Sequence, residues 1–219
     1  RVYNLTYGAK KLHGLLIKPG ETFSLVTAPG SIDAKNGWKP ELVIKGTKIT
    51  PEYGGGLCQV ATTLFRTALN TGLPITERHN HSLRISYYEP PIGLDATIYE
   101  PRPDLKFTND YSHALLLQTR VEGTELIFSF YGTKDGRTVD IPEPHVYNKT
   151  GIPATLSIEV RDLKPGEKKC QAPRHPGADA TATYTVTKAD GTSVTQTFQS
   201  HYRPIPVICQ VGKAEAKKS

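Results

Sequence analysis

The residues best suited to chemistry lie between positions 54 and 97. Cys58 stands just after the run Gly54-Gly55-Gly56, and the periodicity described below starts a helix at about the same place. Amides at a helix start, with the positive end of the dipole, stabilise a thiolate or an oxyanion. A thiol there could attack a carbonyl while amides from Gly56 to Gln59 hold the oxyanion that forms. A base is close in sequence. Glu77-Arg78-His79-Asn80-His81-Ser82 sets two histidines two residues apart, so on a strand they share a face. One imidazole would take and return the thiol proton, and the other would orient it or complete the oxyanion site. Asp95 supplies a carboxylate able to fix the imidazole tautomer. Gly55, Gly56, Gln59, Arg78 and Ser82 join Asp95 as the expected oxyanion and substrate-binding surroundings. His13, His113, His145, His175 and His201 are given no role. The same groups allow a second chemistry, in which His79 and His81 bind zinc with Cys58 or Asp95 completing the set. No His-Glu-x-x-His or Cys-x-x-Cys pair supports it and no clear fourth ligand is present, so no metal or other cofactor is assigned.

These groups need elements to hold them. From Leu57 to Leu69 the apolar residues are Leu57, Val60, Ala61, Leu64, Phe65, Ala68 and Leu69, an unbroken i, i+3, i+4 series along one helical face. Asn70-Thr71-Gly72 and Pro74 stop it. Cys58 lies at the edge of the stripe. Most of the remaining chain reads as short strands and turns: Glu21–Val26 after Pro19-Gly20, Asp104–Thr108 before Asn109-Asp110, and a hairpin of Ala114–Val121 with Glu125–Tyr131 around Gly123. The near-continuous apolar runs of that hairpin predict burial of both strands. The fold class is therefore α+β: a β-rich catalytic domain over 1–145 whose main amphipathic helix carries the nucleophile at its N-terminus, then a small all-β module over 146–219. The prolines of Ile141–Pro144 and Gly151–Pro153 mark the boundary. In the second part a threonine-rich hairpin pairs Thr181–Thr187 with Ser193–Phe198 across Ala189-Asp190-Gly191. Cys170 and Cys209 flank it. A disulfide between them closes a loop of about 40 residues, worth ~3–4 kcal/mol in the chain-entropy model, as is usual for small modules in oxidising compartments.

Composition sets the outer bounds. The 219 residues are 37% hydrophobic and 22% charged, enough apolar material for a packed core in one or two domains. No run approaches the roughly 20 apolar residues of a membrane helix. Of the formal charge of +6, the ends hold the excess: residues 1–50 carry 8 Lys/Arg against 3 Asp/Glu, and 51–150 carry 9 against 12. No basic and aromatic motif of a nucleic-acid binder accompanies it, so no nucleic-acid partner is expected. The chain has no methionine and begins at Arg1. That reads as a segment of a longer exported protein, separated from its signal peptide or membrane anchor.

The run Gly54-Gly-Gly-Leu-Cys-Gln-Val-Ala-Thr-Thr-Leu-Phe65, then Glu77–Ser82, then Leu94-Asp-Ala-Thr97, resembles the VanW-like domain of bacterial envelope proteins. Pro19–Ser24 upstream and Asp104–Asn109 downstream fit the same pattern in the same order, so the resemblance covers about residues 12–135. Ala61 departs from it, standing where a serine is common. The resemblance implies peptidoglycan L,D-transpeptidation with Cys58 as nucleophile, and it matches both His79 and His81 without choosing between them. More weakly, Asp162–Lys169, Pro176-Gly177, Ala189–Gly191 and Val211-Gly212 resemble a G5-type module. That implies binding of glycan strands or a spacer role, although the two cysteines depart from the usual module.

The combined reading is an extracytoplasmic, wall- or envelope-associated L,D-transpeptidase. It would be monomeric, act on peptidoglycan stem peptides, and could also work as an L,D-carboxypeptidase. A non-catalytic peptidoglycan-binding protein and a zinc hydrolase are the alternatives.

Overall fold

The computed structural model describes residues 2–45, 48–160, 163–171 and 174–212, with the side chains of 42–50 and 171 left aside. The chain opens with helix α1 (Val2–Leu12), strands β1 (Leu15–Ile17), β2 (Thr22–Ser24), β3 (Pro40–Lys45) and β4 (Lys48–Tyr53), and helix α2 (Leu57–Thr71). It continues through β5 (Ile75–Glu77), a 3-10 turn (Ser86–Tyr88), β6 (Lys106–Thr108), β7 (Leu115–Glu122), β8 (Glu125–Tyr131) and β9 (Thr138–Asp140). The last part holds β10 (His145–Thr150), β11 (Leu156–Val160), β12 (Lys168–Gln171), β13 (Gly177–Thr187), β14 (Ser193–Tyr202) and β15 (Ile208–Gly212). Among the described residues these form five small sheets: β1-β7-β8, β2-β6-β5, β3-β4, β10-β13-β14 with β9 on β13, and β11-β15-β12.

Helix α2 is the centre of the core. The seven apolar residues of its predicted stripe are all buried, and Thr62 is buried with them. Gly56 precedes the helix at φ 106°, and Gly72 follows at φ 81° with its amide donating back to Leu69 O. Both are left-handed positions that favour glycine. The sheets close around this stripe, bringing Phe23, Leu105, Phe107, Leu115, Leu117 and Phe128 into one cluster with it.

Helix α1 is absent from the sequence reading. Its buried face is Asn4, Gly8, Ala9 and Leu12, which carries too little apolar character to show as a stripe. Asn4 instead exchanges two hydrogen bonds with the Lys39 backbone, at 2.8 and 3.0 Å. Gly8 lets α1 approach α2 closely, since a Cβ there would sit 2.8 Å from the Leu57 side chain. The β7–β8 hairpin forms at the expected residues, with Gly123 in the turn at φ 57°. Its burial is different from the expectation. Only Leu115, Leu117 and Phe128 are fully buried, and the far end from Val121 to Glu125 is exposed. The helices cover one face of the hairpin near its base, so the apolar runs mark length rather than two-sided burial.

The threonine-rich hairpin is longer than predicted, with β13 and β14 paired from Ala178–Tyr202 to Thr187–Ser193. It does not stand apart from the residues before 145. Ala182, Tyr184, Val186 and Phe198 belong to the same buried cluster as α2, with Phe198 edge-on to Phe65. Packing thus continues across the expected boundary. The sheet β11-β15-β12 contributes Cys209 alone to the buried hydrophobic residues described. Cys170 and Cys209 face one another across β12 and β15 and are joined by a disulfide. Asp162, the first residue of the G5-like motif, lies outside the described residues.

A sheet with so little core depends on its covalent staple. The bridged residues are 39 apart, and opening the bond is expected to cost this sheet ~3–4 kcal/mol. Denaturant unfolding of the Cys170→Ser/Cys209→Ser protein should show an earlier transition than the wild type. Coincident transitions would mean the sheet does not use the bond.

Candidate functional site

The helix that fills the core also aims a polar row at the segment 94–98. Cys58, Thr62 and Arg66 are spaced i, i+4, i+8, so they line up along one side of α2. Cys58 Sγ lies 3.2 Å from Thr97 Oγ1 and 3.7 Å from Ile98 O. Thr62 Oγ1 donates to Ala96 O at 3.0 Å and accepts from Ala96 N at 3.1 Å. Arg66 Nε donates to Leu94 O at 2.8 Å. Three successive helical turns thereby hold the 94–98 segment, which belongs to no sheet, against the helix. Thr97 is held from its other side by its amide, which donates to His79 O at 2.8 Å.

The clamped segment carries Asp95, which is buried and fully engaged. Its Oδ2 accepts from the His81 amide at 2.8 Å and pairs with His81 Nδ1 at 2.6 Å. Its Oδ1 accepts from the Tyr202 phenol at the end of β14, and Arg78 Nη2 lies 3.4 Å away. His81 also lies close enough to Cys58 that each acts on the other's titration. Cys58, His81 and Asp95 therefore group a thiol, an imidazole and a carboxylate, with the imidazole bonded to the carboxylate and coupled in charge to the thiol.

The electrostatics follow from this chain. Burial pushes the Cys58 thiol up, but the hydrogen bond and positive charge of His81, helped by the Thr97 hydroxyl, outweigh it and leave the thiol below its ordinary value. Burial alone would disfavour the His81 cation. Its bonds to Asp95 and Cys58, with the charges of both, raise it to about 9. Burial would likewise raise Asp95, yet His81 and Tyr202 keep it below the usual carboxylate range. These shifts act together in favour of a thiolate–imidazolium pair backed by an ionised carboxylate.

Cys58 opens into a cleft of about 450 Å³ lined by Gly54–Gly56, Leu57, Tyr53, Glu52, Ile98, Tyr99, Glu100 and Ile32. Gly55 is required there on steric grounds, because a Cβ would fall 2.3 Å from Glu41 Cβ. The helix-start amides are only partly available. Those of Leu57 and Gln59 donate to Gly54 O and Gly56 O, whereas the Gly55, Gly56 and Cys58 amides make no backbone–backbone bond among the described residues.

Several predicted site residues lie elsewhere. His79 and His81 do not share a face, because β5 ends at Glu77 and the chain beyond has no two-residue alternation. His79 is exposed and turns to Glu77, 3.6 Å away. The two imidazoles diverge, so the His-x-His zinc arrangement is not formed, and no cluster of three metal-ligating side chains occurs among the described residues. Arg78 is buried behind Asp95, donating to Asp95 O, Gly93 O and Ser200 Oγ, out of a substrate's reach. Gln59 lines a different depression with Thr62, Thr63 and Arg66. Ser82 is exposed and its carbonyl accepts from the Arg203 amide at 2.9 Å. Conversely, Thr97 and Tyr202 are at the site without having been singled out.

One cysteine is free, Cys58. Denatured, unreduced protein should therefore take up one equivalent of a thiol reagent, all of it on Cys58. Uptake at Cys170 or Cys209 would contradict the disulfide.

The sequence profile described as VanW like protein matches residues 1–131. The chain is 32% identical over 133 residues to the protein of Bacillus subtilis (strain 168) named uncharacterized protein YoaR, covering 61% of this chain and 43% of that one. It is 36% identical over 138 residues to the vancomycin B-type resistance protein VanW of Enterococcus faecalis (strain ATCC 700802 / V583), covering 61% of this chain and 50% of that one. The chain thus spans about half the length, or less, of these curated relatives. Cys58, His81 and Asp95 all fall within the matched residues, and a match over more than half of the sequence makes this chain a member of the VanW-like family.

Proposed function

We propose that the chain is the acyl-transfer part of a peptidoglycan L,D-transpeptidase. The observation that carries this reading is the Cys58–His81–Asp95 chain opening into a cleft at a glycine-rich helix start. Cys58 thiolate attacks the carbonyl carbon on the L-side of a stem peptide's diaminopimelate–D-alanine bond. The C–N bond breaks, His81 gives its proton to the departing amine, and D-alanine leaves a thioester on Sγ. Acylation removes the thiolate charge that helps hold the His81 proton, so the imidazole then serves as base. The side-chain amine of a second stem attacks the thioester, its proton passes to His81, an amide forms and the thiolate returns. Water in place of the amine gives L,D-carboxypeptidation. Asp95 fixes the ring so that its other nitrogen meets sulfur, and the Gly55, Gly56 and Cys58 amides are the candidate oxyanion donors.

The cleft chemistry suits such substrates. Among the described residues its charged lining groups are Glu52 and Glu100, and an acidic lining suits ammonium-bearing stems. One relative is named for resistance to vancomycin, and the disulfide fits an oxidising, extracytoplasmic setting. No helix among the described residues is long and apolar enough to cross a membrane. Muropeptide analysis of wall treated with wild-type and Cys58→Ala protein tests the proposal. Wild type should add diaminopimelate–diaminopimelate cross-links or release D-alanine, and the variant should do neither. Identical products would reduce the protein to a wall-binding one.

A further inference from the structure

The family match ends at residue 131, yet the Asp95 carboxylate is completed by a side chain far beyond it. Tyr202, the last residue of β14, is buried and donates its phenol to Asp95 Oδ1. The approach is built rather than incidental. Ser200, two residues back on the same strand face, accepts from Arg78 at 2.9 Å and donates to Gly93 O at 3.3 Å. Asn80 donates to His201 O at 2.9 Å, and the Arg203 amide donates to Ser82 O at 2.9 Å. Gly93 packs against β13 so closely that a Cβ would lie 2.8 Å from Ala180 Cβ. Both segments of the site, 78–82 and 93–95, are therefore docked on the β13–β14 hairpin.

We propose that Tyr202 is a positioning residue for the Cys58–His81 pair, acting through Asp95, and that the hairpin is part of the acyl-transfer machinery. The proposal rests on the reading of Cys58 and His81 as that machinery. Asp95 Oδ2 already serves two His81 donors. Rotation of the carboxylate about its Cβ–Cγ bond would break both bonds, and the phenol on Oδ1 opposes that rotation. The other charged neighbours leave this role open. Arg78 reaches Oδ1 only at 3.4 Å and is oriented chiefly by backbone carbonyls, and Arg66 acts on Asp95 through charge from α2, its donors turned to Leu94 O and Tyr88 O. Burial and the adjacent carboxylate push the Tyr202 phenol well up, so it stays protonated and donating across the working pH range.

The test is the rate of Cys58 alkylation by iodoacetamide across pH in the intact chain, for wild type, Tyr202→Phe, Tyr184→Phe and His81→Asn. Tyr184 is the matched control. It is buried on the same hairpin and donates to Leu73 O at 3.2 Å, away from Asp95. Tyr202→Phe should slow alkylation about tenfold at neutral pH, the scale of one hydrogen bond to a charged group, and move the acid limb to higher pH. Tyr184→Phe should lower the melting temperature and keep the wild-type profile. Tyr202 would be a scaffold residue only, and the proposal overturned, if Tyr202→Phe kept the wild-type profile, shared the Tyr184→Phe behaviour or failed to fold. A separate outcome strikes the underlying reading: wild type and His81→Asn both alkylating with the pH profile of an ordinary free thiol.

Discussion

Cys58→Ser is expected to lower transpeptidation by ~10⁴-fold or more, as loss of the nucleophile does in other acyl-transfer enzymes. The substitution changes one atom, so the fold should survive, with a melting temperature within a few degrees of wild type. What it removes is acidity. The thiol is already lowered by His81, while a serine hydroxyl at the same place has no comparable anion to offer. Steady-state assay of D-alanine release, normalised to folded protein, measures the loss. Activity within tenfold of wild type would remove Cys58 from the chemistry.

Asp95→Asn carries the second large effect, and it strikes both activity and stability. An amide nitrogen cannot accept from His81, so either the imidazole or the Tyr202 phenol must lose its acceptor. Arg78 and the His81 cation would be left without their buried counter-charge. Breaking a buried pair by removing one partner costs about 3–5 kcal/mol, and loss of the orienting carboxylate in a triad costs about 10⁴-fold in rate. The pH dependence has a definite sign. The raised folded pKa of His81 contributes stability that is complete below its ordinary value of 6.5 and is lost as pH rises through about 9. The depressed pKa of Asp95 contributes stability present above its ordinary value of 3.8 and lost as pH falls through its lower folded value. Wild type should accordingly lose stability at both ends of that range. Asp95→Asn should be less stable throughout and flatter at both ends, as read from denaturant midpoints over pH. A variant as stable as wild type with unchanged activity would remove Asp95 from the site.

The parts legible in the sequence share a physical cause: they repeat. The α2 stripe is seven residues of unbroken period, and each is buried. The β7–β8 hairpin announces itself by two apolar, strand-forming runs around a glycine turn, and β13–β14 by a threonine alternation around another. Helix α1 has no such signal, because its buried face is an asparagine, a glycine and an alanine before Leu12. The candidate site divides the same way. Cys58 and Asp95 stood out by residue type and local motif. The choice of His81 over His79 depends on where β5 ends, and two-residue spacing carries no information once a strand has stopped. Arg78 was drawn into the binding set by its place in the motif, whereas its charge is consumed inside the protein by Asp95, Gly93 and Ser200. Of the polar row Cys58, Thr62, Arg66, the sequence shows only Cys58, at the edge of the apolar stripe. Its meaning needed the 94–98 segment opposite, and Tyr202 arrives from a strand more than a hundred residues further along the chain.

A cysteine acyl-enzyme is tested most directly through its covalent intermediate. Intact-mass spectrometry of the protein quenched in acid during turnover of a stem tetrapeptide ending in D-alanine should show an added mass equal to the peptide less D-alanine. Proteolysis should place that mass on the Cys58 peptide as an adduct labile to hydroxylamine, and Cys58→Ser should show none of this thioester. Product formation by wild type with no adduct on Cys58, or with the same adduct in Cys58→Ser, would contradict a cysteine acyl-enzyme.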